Sequence, residues 1–522
     1  MSGRALMLQG TGSSVGKSVL CTALCRLFAR RGLRVAPFKA QNMSNNAFVT
    51  VSGGEISRAQ AVQADAAGVI PTVDMNPVLL KPEGETGSQV VLRGKVWGRL
   101  RSADYLTRKW QLWDAVEASL WALLGEYELV VIEGAGSPAE VNLRPADIVN
   151  MRVARATDAP VILVGDIDRG GVFASLVGTL ELLEPEELER VRGFIINRFR
   201  GDLALLQPGL EFLERRTGRP VLGVVPYLPD LGLAEEDAAT LDTTRPTLDG
   251  TAGGDSRLQV AAIRLPRVAN FDDLDPLRRA GANVIWVDRP AQLKCPDLIV
   301  LPGSKSTAAD LAWLRGSGLE GALVELADRG TPLLGLCGGY QMLGESVDDP
   351  DGVESSQTTA PGLGLLPIRT VLRGRKTTRQ TRGRLLAGRG LFGGAAGVEV
   401  RGYEIHAGET DGPGAPLLEL DGADGPHPDG RSARSGWIVG TYVHGLLHNA
   451  PMTAALLASL RARRDRLLPS SVVQPAPAAS SEPALSLPQG PSSFDPYDRL
   501  ADHVEAALDL PRLFSLVGLE AS

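Results

Sequence analysis

Short unbroken apolar runs alternate along this chain with longer stretches in which apolar residues return every three or four positions. The runs Ala5–Gln9, Arg34–Lys39, Leu129–Glu133, Val161–Asp166, Gly193–Asn197 and Val221–Pro226 predict strands buried on both faces. Between the first two, Leu20, Ala23, Leu24, Leu27 and Phe28 form one apolar stripe, as on a helix laid against a sheet. Strands joined by connections of that length predict a mainly parallel sheet. Residues Glu235 to Ser256, dominated by Asp, Thr and Gly and without period, predict a linker. A second α/β unit is expected from Leu258, with strands near Val260–Arg264, Val284–Val287 and Leu298–Leu301, another through Leu333, Leu334 and Leu336, and one before His444. Pro469 to Ser493, rich in Pro, Ala and Ser, predicts a disordered insertion. Beyond it, Tyr497 to Leu510 resumes a helical pattern and is expected to close the second unit.

The first strand leads into Gly10-Thr11-Gly12-Ser13-Ser14-Val15-Gly16-Lys17-Ser18 and then into the striped helix. In a strand, glycine loop and helix of this kind, backbone N–H groups and the helix N-terminus wrap phosphates. Lys17 is expected to neutralise their outer oxygens and the Ser18 hydroxyl to hold Mg²⁺. The strict Walker spacing would need glycine at 11, where this chain has Thr11. Glu133 ends a buried strand at the same edge, the place for a Mg²⁺ ligand. Lys39 follows another strand and is expected to reach phosphate or substrate. Asp166, Asp168 and Arg169 lie at a third strand end, where the arginine suits an anionic substrate.

The second unit carries a different chemistry. Thr331 to Leu343, TPLLGLCGGYQML, sets Cys337 after an apolar run and before a helical pattern. Gly335, Gly338 and Gly339 permit a turn sharp enough to present the sulfur, and a helix starting there would aim N–H groups at it. A buried structural cysteine is the plain alternative. Further on, a strand with Trp437, Val439, Thr441 and Val443 on one face delivers His444 to a glycine, so that a cysteine and a histidine at two strand ends can meet.

GLCGGYQMLG with TYVHG resembles a class I, triad-type glutamine amidotransferase domain. The resemblance implies Cys337 as nucleophile and His444 as base, with Gly303 of LPGSK and Gly338 offering oxyanion N–H groups. Most of that class has His-x-Glu, whereas Leu446 stands here, so the orienting carboxylate is missing from its usual place. A Cys–His pair alone is the pattern of the cobyric acid synthase branch. The first loop matches the G-T-x-x-x-x-G-K-[ST] form of dethiobiotin-synthetase-like enzymes, and Gly12 stands where partition ATPases have a second lysine. APFKAQNMSNN, EGAGSPAEVNLR, DIVNM, GDIDRGGVFASL and RGYEIHAGET also resemble the cobyric acid synthase family, so the likeness spans nearly the whole chain.

From this resemblance follow ATP and Mg²⁺ as cofactors, glutamine and a corrinoid as substrates, and a cytoplasmic location. ATP phosphates fall to Thr11, Gly12, Val15, Gly16, Lys17, Ser18 and Lys39, metal to Ser18, Glu133 and Asp65, and substrate to Asp166 and Arg169. The implied reaction amidates the b, d, e and g carboxylates of adenosylcobyrinic acid a,c-diamide through acyl phosphates. The expected fold is α/β: a P-loop, dethiobiotin-synthetase-like parallel-sheet domain at 1–234, a linker at 235–256 and a class I amidotransferase domain at 257–468. The insertion at 469–493 and the amidotransferase tail at 494–522 complete it.

Composition narrows the alternatives. A net charge of −7 argues against a nucleic-acid surface, and 43% hydrophobic with 22% charged residues fits loop-rich α/β units. No apolar run reaches membrane-spanning length and no signal-peptide pattern opens the sequence. Of the 4 cysteines, Cys21 and Cys25 are read as helix packing in a reducing compartment, not as a metal pair. His406 is read as structural or interfacial. Rival readings are a cobyrinic acid a,c-diamide synthase, a cell-wall lipid II amidotransferase, and a non-catalytic P-loop regulator with a degenerate amidotransferase domain.

Overall fold

Leu6, Leu8, Val131, Ile162, Val164 and Ile195 are buried on one side of a sheet, while Met7, Val130, Ile132, Leu163, Phe194 and Ile196 are buried on the other. This is the alternation that strands covered on both faces require. The computed structural model describes residues 3–83, 87–101, 104, 107–229, 257–354, 357–386, 388–422, 425–467 and 495–519. The chain forms two units, one of Met1–Glu236 with Phe494–Ser522 and one of Asp237–Ser493. The expected linker at 235–256 and insertion at 469–493 lie outside the described residues.

In the first unit, a 6-stranded parallel sheet runs in the order Val221–Pro226, Val191–Phe199, Val161–Asp166, Arg4–Gly10, Leu129–Glu133, Val35–Phe38. Later strands flank the first on both sides, which opens a crevice at its C-terminal end. The glycine loop and its helix, Lys17–Arg30, start there. A smaller 4-stranded sheet, Gln41–Met43, Val78–Pro82, Gly87–Leu92 and Lys95–Arg101, stands beside it.

The C-terminal segment corrects one expectation: it belongs to the first unit, not to the amidotransferase unit. Helix Pro496–Glu505 lies on the Lys17–Arg30 helix, where Arg26 pairs with Asp495 and Asp498, Arg30 with Asp502, and Arg31 with Glu505. Leu500, Val504, Leu513, Phe514 and Val517 complete the core on that face of the sheet. The acidic side of the tail matches the arginine side of the helix, and its apolar side fills the space beneath.

The second unit has its own 6-stranded sheet, ordered Asn283–Val287, Gln259–Ile263, Leu298–Leu301, Leu333–Leu336, Ile438–Thr441, Arg431–Ala433. Only the last pairing is antiparallel. Between the fourth and the last two strands, the chain builds a long antiparallel hairpin, Arg369–Leu385 with Glu399–Asp411. No helix among the described residues is long and apolar enough to cross a membrane.

Candidate functional site

The glycine loop is shaped by steric demand. Gly16 has φ +94°, and a Cβ there would stand 2.1 Å from Asn197 Nδ2, which donates to the Val15 carbonyl at 2.9 Å. Ser14 takes a left-handed φ of 58°, a local strain common at ligand-binding loops. Thr11 N donates to the Val164 carbonyl, and Lys17 Nζ reaches across the loop to the carbonyls of Gly12 at 2.9 Å and Gly136 at 3.1 Å. The EGAG and DIVNM segments clip together, since Asn150 bonds both the N–H and the carbonyl of Ala135 while Asp147 accepts from Val149 N and Asn150 N.

Around Glu133, whose side chain is 0% exposed, three elements converge. Ser18 Oγ donates to Oε1 at 2.8 Å, Lys39 Nζ to the same oxygen at 2.7 Å, and Gln63 Nε2 to Oε2 at 2.6 Å. A hydroxyl and a carboxylate oxygen side by side at a phosphate loop are the hard donors that fit Mg²⁺, which fills its remaining positions with phosphate and water. Asp65, expected as a further ligand, does not join them. It sits on the exposed face of helix Arg58–Ala67 with Tyr497 as its partner, because residues 60 and 63 point inward and 65 falls about 200° further round from 63. Asp166, expected as a substrate contact, is buried, and its oxygens accept from Asp168 N and Arg198 Nη1, both at 2.9 Å. Arg169, with its side chain 68% exposed, remains open to solvent.

In the second unit, Cys337 occupies a tight elbow with φ 50° and ψ −106°. A Cβ on Gly339 would lie 2.0 Å from the Leu301 carbonyl, and one on Gly338 2.8 Å from Ser304 N, so both must be glycine for the turn to seat against the Gly303–Ser304 segment. The Cys337 thiol donates to the Ile405 carbonyl at 3.4 Å and lies close enough to His444 for the two to interact electrostatically. A Cβ on Gly303 would be 3.1 Å from His444 Cε1. Cys337, His444, Gly303 and Gly338 thus share one place. His406 stacks on Tyr442 at 3.7 Å and bonds the Gly408 carbonyl.

The carboxylate absent from position 446 comes from elsewhere in the chain. Asp273, on the short turn Phe271–Leu274, places Oδ2 2.7 Å from His444 Nδ1 and accepts from Gly445 N with Oδ1 at 2.7 Å. Burial opposes charge on both groups. Even so, His444 and the Gly445 N–H hold the Asp273 carboxyl below its usual range, and Asp273 and Cys337 push His444 up to about 10. The separation of 171 residues explains why no local motif marks Asp273. The only sequence signal was a cluster of three acids, Asp272, Asp273 and Asp275, in the segment NFDDLDPL.

Comparison with known proteins agrees with this division. The profile of the CobQ/CobB/MinD/ParA nucleotide binding domain matches residues 6–241, and that of the CobB/CobQ-like glutamine amidotransferase domain matches residues 259–452. A cobyric acid synthase of Sorangium cellulosum is 51% identical, with 100% of each chain covered. One of Moorella thermoacetica is 50% identical over 99% of this chain and 98% of its own, and one of Dehalococcoides mccartyi 44% identical over 98% and 99%. With both units matched and half of all positions shared over the full length, the chain belongs to the cobyric acid synthase family of glutamine-hydrolysing ligases.

Proposed function

We propose that the chain converts adenosylcobyrinic acid a,c-diamide to adenosylcobyric acid in cobalamin biosynthesis. In this reading the γ-phosphoryl of ATP passes to each of the b, d, e and g carboxylates, and ammonia from glutamine displaces the phosphate. The carrying observation is that one chain holds both a phosphate cradle closed on Glu133 and a buried thiol–imidazole–carboxylate site. A free carboxylate is inert to ammonia because its leaving group would be an oxide. Phosphorylation supplies one that departs. Lys17 and Lys39 neutralise charge on the transferred group and orient it. Ser18 and Glu133 would hold Mg²⁺, which when bound shields the phosphate oxygens.

In the amidotransferase unit the Cys337 thiolate attacks the glutamine side-chain carbonyl. N–H groups of the Gly303 and Gly338 segments face the resulting oxyanion. His444 then gives its proton to the departing nitrogen, ammonia leaves, and water hydrolyses the glutamyl thioester. Asp273 holds the imidazole with Nε2 toward sulfur and balances its charge. Incubation with ATP, Mg²⁺, glutamine and the diamide should add four amide groups by mass, with ATP consumed in step. Unchanged substrate in the presence of active glutaminase would refute the substrate assignment.

A further inference from the structure

Two buried glutamines hold the far side of the Glu133 carboxylate. Gln63 Nε2 lies 2.6 Å from Oε2, while Gln60 Nε2 stands 3.5 Å from the same oxygen and 3.4 Å from Gln63 Oε1. Both are fully buried, on a helix whose start is fixed by Ser57. Ser57 Oγ accepts from Ala59 N and Asn42 Nδ2, Ser57 N donates to Asn76 Oδ1, and Asn76 Nδ2 donates to the Lys39 carbonyl. Gln63 on Oε2 and Lys39 on Oε1 therefore hang from one hydrogen-bonded chain instead of two independent loops.

We infer that Gln63 is a positioning residue of the phosphate site, fixing Glu133 so that Oε1 stays turned to Ser18. The inference rests on Glu133 serving as the cation ligand. The residue type follows from charge. A neutral amide grips a carboxylate without adding charge, whereas a second buried carboxylate at the same spot would have to share a proton with the first. The other groups facing Glu133 are Lys39, the loop's Lys17 and Ser18, and the thiols of Cys21 and Cys25, which are pushed up first by burial and then by Glu133 itself. Gln60 and Gln63 are the two side chains seen to reach Oε2 among the described residues.

The test uses the full chain with Mn²⁺ as probe and a non-hydrolysable ATP analogue. Outer partners of a metal ligand carry roughly 10–100-fold in affinity, so Gln63→Leu should weaken Mn²⁺ binding by that factor while glutamine hydrolysis without corrinoid stays at the parent rate. Gln63→Asn, whose shorter side chain draws the amide back from Oε2, should weaken Mn²⁺ binding in the same sense. Parental Mn²⁺ affinity in Gln63→Leu, alongside loss of binding in Glu133→Gln, would overturn the positioning role alone. Parental affinity in Glu133→Gln would overturn the metal reading and the inference with it. Should Gln63→Leu fail to fold, Gln63→Asn decides, and parental Mn²⁺ affinity in that variant rejects the inference.

Discussion

At the scale of single residues, the two chemistries separate cleanly by substitution. Cys337→Ser should abolish glutamine-supported amidation and leave the ammonia-supported reaction intact, because serine is nearly isosteric but far less ionised near neutral pH. On the proposed acyl phosphate route, Lys17→Ala should lower amidation by orders of magnitude with either nitrogen source, since the transferred phosphoryl would lose its compensating charge. Loss of the ammonia reaction in a folded Cys337→Ser protein would show that the thiol also acts in the synthetase step. Asp273→Asn should cut glutamine hydrolysis by up to about 10⁴-fold, the loss that follows when a hydrolytic triad's orienting carboxylate is replaced by its amide. It also carries a stability signature. His444 lies above its ordinary 6.5 and Asp273 below its ordinary 3.8. A raised histidine stabilises fully below its unfolded pKa and loses that as pH rises through the folded one, while a lowered aspartate stabilises above its unfolded pKa and loses that as pH falls. The stability deficit of Asp273→Asn should therefore be greatest between about pH 4 and 6.5 and close as pH approaches about 10. A deficit that grows with pH would contradict the ion pair.

At the scale of elements, function depends on places where backbone passes too close for a side chain. The glycine loop and the cysteine elbow are both strand-to-helix turns, and each is held by glycines pressed on neighbouring backbone or side chains. Gly16→Ala places a Cβ on the Asn197 amide and adds left-handed strain, so it should break the Val15 contact and weaken binding of an ATP analogue by tenfold or more in calorimetry. Gly12 has no atom within 4 Å of its would-be Cβ. Gly12→Ala should accordingly keep the parent melting temperature, and a large drop there would mean that the loop is packed differently. The amidotransferase strand Glu399–Asp411 shows the same economy, since Ile405 lends its carbonyl to the thiol while Tyr403 pairs with His444 through backbone bonds.

At the scale of the whole molecule, the amidotransferase unit lies within the sequence of the nucleotide unit, whose core is finished by the last described helices. Phe514→Ala removes a buried ring stacked edge-on at 5.2 Å against Phe28 of the loop helix. It should destabilise the nucleotide unit by about 3–5 kcal/mol, lowering ATP-dependent amidation at elevated temperature while glutamine hydrolysis persists; a matching loss of glutaminase would place the tail's role elsewhere. The sequence alone determined what depends on neighbouring positions. Apolar runs marked the parallel strands of both main sheets, and glycine spacing with the residues between marked the phosphate loop and Cys337 elbow, because these are written within a few residues of one another. It also named His444 and Glu133 from the strands that deliver them. Asp65 misled because a helical acid reads the same on either face, and only packing shows that Gln60 and Gln63 turn inward. The tail misled because an amphipathic helix does not say which apolar face will cover it. Asp273 was hidden because a carboxylate partner needs only to arrive within hydrogen-bond reach, and chain folding brought it there across 171 residues without leaving a local pattern.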